Sequence, residues 1–109
     1  MNIPKIGETW MGQYRNNQKT FTVSSIMPEP QFLLDYVNEL EKSDKWNGNI
    51  NIQNLIVTIR QRAASGRYNP DTRIYTLDLH LPDGSNKRMF CLERDFGDEL
   101  YWKDLHQDA

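Results

Sequence analysis

At 109 residues, the chain is long enough for one domain and too short for two independent cores. Thirteen Lys+Arg stand against fifteen Asp+Glu, a formal net charge of -2, which excludes a uniformly basic nucleic-acid binder and an acidic disordered chain. Hydrophobic residues make up 38%, so the core is expected to be modest.

No apolar run approaches the length that spans a bilayer, and Met1-Asn2-Ile3-Pro4-Lys5 lacks the apolar segment of an export signal. A soluble, cytoplasmic protein is expected. Cys91, the single cysteine, has no internal disulfide partner, which fits a reducing compartment.

In chain order, residues 8–14 and 20–26 alternate in character around a polar loop, Arg15 to Lys19, and predict an opening β-hairpin. Trp10 and Tyr14 share one face with Gly12 between them, where a missing side chain permits a bulge or the close approach of another backbone. Phe32, Leu33, Tyr36, Val37 and Leu40 then form one apolar stripe at helical spacing. With Pro28 and Pro30 at its start, this predicts one amphipathic helix over about 29–43.

Residues 44–54 are rich in Asn and Gly and read as a connecting loop pinned by Trp46. The β-branched run Leu55-Ile56-Val57-Thr58-Ile59 reads as an inner strand, followed by a loop over 63–71. Residues 73–81 alternate strictly and predict a strand, and Leu81-Pro82-Asp83-Gly84-Ser85 a three-residue turn with Gly in the left-handed position.

That turn fixes a register in which Asp78 faces Arg88, Leu77 faces Met89 and Tyr75 faces Cys91, with Tyr75, Leu77, Leu79, Met89 and Cys91 on a helix-covered face. The tail from Asp95 carries aromatics among acids and predicts a short docked segment. The fold class is therefore α+β in a single domain, 1–109: a hairpin, one helix, then a three-stranded antiparallel meander with a C-terminal segment.

The residues that could carry chemistry are few. Cys91 sits in the apolar run Met89-Phe90-Cys91-Leu92, where a buried thiol is inert. Asp78 and His80 share a strand face, and Glu93 could join them around a pocket, but no third ligand has a spacing that forces a metal site. Phosphate-cradling motifs are absent from the sequence. No catalytic group, metal or cofactor is expected.

Charge is distributed unevenly. Residues 60–73 hold four arginines against one aspartate, whereas residues 93–109 hold six acids against Arg94 and Lys103. Asp95, Phe96, Asp98, Glu99, Tyr101 and Trp102 thus compose an acidic, aromatic stretch suited to docking on a protein partner, a basic one by charge. Trp10 and Tyr14 offer a competing aromatic surface.

The expected function is a small stand-alone protein-binding module that inhibits or neutralises its partner, in the manner of an immunity protein or a phage-encoded inhibitor. The alternative is a nucleic-acid-binding accessory protein using a basic loop, 60–73, whose Arg60, Arg62, Arg67 and Arg73 grip phosphates while Tyr68 stacks on a base; the same residue types also suit contact with a protein partner. Either would be a monomer or a homodimer with no membrane association.

Overall fold

The computed structural model describes residues 3–43 and 48–108. Strands β1 (Thr9–Tyr14) and β2 (Asn17–Pro28) lead into helices α1 (Glu29–Lys42) and α2 (Ile50–Ala64). Strands β3 (Arg73–His80) and β4 (Asn86–Leu92), a 3-10 turn (Glu93–Gly97) and strand β5 (Trp102–Gln107) follow. The class is α+β, as expected: a five-stranded antiparallel sheet in the order β4-β3-β2-β1-β5, with two helices inserted between β2 and β3.

The described residues divide into two compact units, the sheet up to Ile26 and from Arg73 onward, and the helical stretch Met27–Thr72. In the sheet unit the β3/β4 register is the one the turn chemistry dictated, with Asp78 facing Arg88, Leu77 facing Met89 and Tyr75 facing Cys91. Gly84 takes the required left-handed conformation at φ 86.

The face carrying Tyr75, Leu77, Leu79 and Cys91 is buried, with Met89 packed against it. The partners clustered there are Trp10, Phe21, Val23, Phe96 and Trp102. Phe96 and Trp102 of the C-terminal stretch thus belong to the core of the sheet unit.

Gly12 has the expected role. An added Cβ would lie 3.0 Å from Leu105 Cδ1 and 3.2 Å from both Leu105 Cα and the Lys103 carbonyl oxygen, so β5 runs against bare backbone here. The β1/β5 register shifts at the same point, between Met11 and Gln13.

The opening hairpin is tighter than expected. Residues 15–19 do not form a loop: Arg15 and Asn16 alone make the turn, both at positive φ (49 and 70), and Tyr14 faces Asn17. Two left-handed turn residues match the twist of the flanking strands, so pairing begins immediately.

The helical unit holds the main correction. Helix α1 matches its expected span, with Glu29 in its first turn and the Ser43 hydroxyl donating to the Leu40 carbonyl at 2.8 Å. The expected inner strand from Leu55 is instead the body of α2, and the expected connecting loop contains that helix's start. Asn49 explains why: its side-chain oxygen accepts from the backbone N–H groups of Asn51 (3.1 Å) and Ile52 (3.3 Å), capping the first turn.

Once capped, Ile52, Ile56 and Ile59 fall on one helical face and pack with Leu33, Val37 and Leu40, which recur at the same spacing on α1. The meander is therefore two-stranded here and joins the sheet through β2. Trp46 lies outside the described residues.

Candidate functional site

The C-terminal stretch does not present its aromatics alike. Phe96 and Trp102 are 4% and 3% exposed and belong to the sheet core. Their rings stack 5.9 Å apart, and Trp102 also meets Phe21 and Tyr14 at 5.0 Å. These two residues are therefore structural supports.

Local hydrogen bonds also engage two of the acids. Asp95 Oδ2 accepts from the Leu92 backbone N–H at 3.1 Å, closing the 3-10 turn, and Asp98 Oδ1 accepts from the Leu100 N–H at 2.9 Å. Glu99 and Tyr101 remain at the surface, Glu99 exposed and Tyr101 half-buried.

Tertiary structure adds neighbours that sequence reasoning had kept apart. The Tyr14 and Tyr101 rings stack at 6.4 Å, so the competing aromatic surface at Tyr14 and the tail surface at Tyr101 are one surface. The Arg15 guanidinium lies 5.5 Å from both ring centroids, in the range of a cation–π contact. Its backbone N–H donates to the Tyr101 carbonyl at 3.0 Å, tying the hairpin turn to the segment before β5.

Leu100 beside them is 82% exposed. A hollow of about 250 Å³ is lined by Arg15, Asn16, Glu99, Leu100, Tyr101 and Lys103. A larger hollow of about 350 Å³ shares Glu99 and Lys103 with it and has Phe96, Trp102, Asp104 and Leu105 in its lining.

Sequence reasoning missed Arg15 and Leu100. Arg15 stood in a segment read as a polar hairpin loop, and its value comes from two rings that only β1/β5 pairing brings together. The sequence showed Leu100 only as an apolar residue beside acids and a tyrosine; its exposure, which marks a contact surface, is decided by the fold.

The arginine-rich stretch is not one loop. Arg60 and Arg62 lie on α2, Arg67 and Tyr68 in the segment after it, and Arg73 is the first residue of β3 in the other unit. The Arg60 guanidinium donates to both Glu41 oxygens (2.7 and 3.2 Å) and to Asn38 Oδ1 (3.0 Å). Hydrogen bonding to Arg60 holds the Glu41 carboxyl below its ordinary value of 4.5. Tyr68 packs against the α1/α2 cluster.

Asp78, His80 and Glu93 are not brought together. The ring nitrogens of His80 meet Thr22 Oγ1 at 2.7 Å and Asn86 Oδ1 at 3.0 Å, and Thr22 Oγ1 continues to Thr9 Oγ1 at 2.8 Å. Asp78 lies on the same strand opposite Arg88, whereas Glu93 opens the 3-10 turn beside Tyr75 on the core face.

Cys91 is buried, and desolvation, helped by Asp95, pushes its thiol up to about 12. Such a thiol is neutral and unreactive near pH 7. Among the described residues no group of three or more His, Cys, Asp or Glu is placed to hold a metal ion, and no helix is long and apolar enough to cross a membrane. No family model, curated protein or solved structure matches the chain, so any functional reading rests on its own surface.

Proposed function

We propose that this chain is a small protein-binding module that inhibits or neutralises a protein partner by covering part of its surface. The observation that carries the reading is the Tyr14–Arg15–Tyr101 stack next to the 82%-exposed Leu100. Tyrosine and arginine dominate the energy of protein interfaces because they bury large, rigid area while keeping polar handles. Trp102 packs against Tyr14 from the core side and stiffens the platform.

The nucleic-acid reading has weaker support, because Arg60 is occupied by Glu41 and Asn38, and Tyr68 by the helical cluster.

The test is capture from a lysate of the encoding organism by the immobilised chain, with and without nuclease, comparing wild type with the Leu100→Ser/Tyr101→Ala double variant. A stoichiometric protein that survives nuclease and is lost with the double variant is the expected result. Capture that vanishes with nuclease, or that ignores the double variant, sinks the reading.

A further inference from the structure

The partner's chemistry can be narrowed from the electrostatics of the same patch, an inference that rests on the docking reading above. Arg15 is exposed, and among the described residues its guanidinium has neither a carboxylate partner nor a hydrogen-bond acceptor, since its interactions are with the two tyrosine rings. A cation–π contact uses the positive charge of a guanidinium without consuming its N–H donors, so the fork keeps its capacity to bond. The side chain is thus already held in place, so a ligand reaching the fork does not bear the full entropy of ordering it.

Lys103 lines the same hollow and likewise makes no ion pair among the described residues. Glu99 is the one acid in that lining, leaving two cations against one anion. Asp95 and Asp98, which the sequence presented as a reason to expect a basic partner, do not line this hollow, and their carboxylates are turned to backbone N–H groups of their own segment.

We infer that this hollow binds a carboxylate of a partner protein, an Asp or Glu side chain held by the Arg15 fork and Lys103, with an adjacent apolar side chain covering Leu100. A planar carboxylate matches the arginine fork with two parallel N–H···O bonds. An apolar neighbour removes Leu100 from water and excludes solvent from the ion pair, which strengthens it. A basic partner would meet Arg15 and Lys103 head-on.

The experiment uses the full chain and a displayed library of random 12-residue peptides, selected on wild type and counter-selected on the Leu100→Ser/Tyr101→Ala double variant. Expected are peptides joining Asp or Glu to a large apolar residue, whose affinity falls at least about tenfold with Arg15→Gln and with added salt. Arg15→Lys should recover only part of the loss, because an ammonium keeps the charge without the fork. Arg60→Gln, already paired within the chain, should change nothing.

Selected peptides that depend on Tyr101 yet lack acids, or that bind Arg15→Gln as well as wild type, overturn the carboxylate inference and leave the docking surface standing. Failure to select any peptide that discriminates against the double variant overturns both.

Discussion

Tyr101 and Trp102 are adjacent in sequence and similar in chemistry, yet the structure gives them opposite roles, and substitution separates the two. Trp102 is 3% exposed and its ring meets those of Tyr14, Phe21 and Phe96 at 5.0 to 5.9 Å. Trp102→Ala therefore deletes a ring packed against Tyr14 of β1, Phe21 of β2 and Phe96, leaving a cavity in the sheet core. Such truncations cost about 3–5 kcal/mol, against about 5–15 kcal/mol of total stability for a domain.

With a urea m-value of about 1.5 kcal/mol/M, that loss moves the midpoint down by roughly 2–3 M. Tyr101, half-buried at the rim, should cost under about 1.5 kcal/mol when truncated, because much of its ring already faces water. Trp102→Phe sharpens the comparison. The indole N–H of Trp102 is buried without an acceptor among the described residues, a penalty of about 1–3 kcal/mol. Phenylalanine removes that donor together with part of the ring, so its loss should be less than half that of Trp102→Ala.

The assay is urea unfolding followed by far-UV circular dichroism, which does not depend on the tryptophan being removed. A Trp102→Ala midpoint within about 0.5 M of wild type, or a larger loss for Tyr101→Ala, would refute the division into support and contact surface.

Alkaline pH should destabilise the fold through two buried acids. Burial raises the Cys91 thiol from an ordinary 9.0 to about 12, and burial with help from Glu93 raises the Tyr75 hydroxyl from 10.0 to about 12. The unfolded chain loses these protons first, so the stability they contribute is fully present below pH 9 and drains away between pH 9 and 12. Urea midpoints from pH 8 to 11 should decline, with a shallower slope in Cys91→Ala. The same thiol should resist a disulfide reagent at pH 8 until the protein is unfolded, and rapid native labelling would contradict its burial. Asn49→Ala should cost about 1 kcal/mol by uncapping α2, read as faster amide exchange at Asn51 and Ile52. Unchanged exchange there would mean the cap contributes nothing.

The sequence alone determined what short-range chemistry controls. Pro82, Asp83 and Gly84 specified the turn and with it every cross-strand pair of β3 and β4, because register follows from turn geometry. The spacing of Leu33, Val37 and Leu40 specified α1, and the lone Gly12 announced a backbone approach that β5 fulfils.

What local chemistry leaves ambiguous went the other way at Leu55–Ile59. A β-branched run suits a buried strand or one face of a helix, and the cap at Asn49 with the packing of Val37 against Ile56 and Ile59 decided for the helix. The site was legible only in fragments. Tyr101 was visible, but its neighbours Tyr14 and Arg15 lie at the other end of the chain and join it only when β5 returns beside β1. Which aromatics a sheet buries depends on where pairing begins and on what packs there. Trp102 opens β5 opposite Tyr14 and packs among Phe21 and Phe96, whereas Tyr101 lies in the turn before the strand and stays at the rim of that cluster, a division that no composition of acids and aromatics encodes.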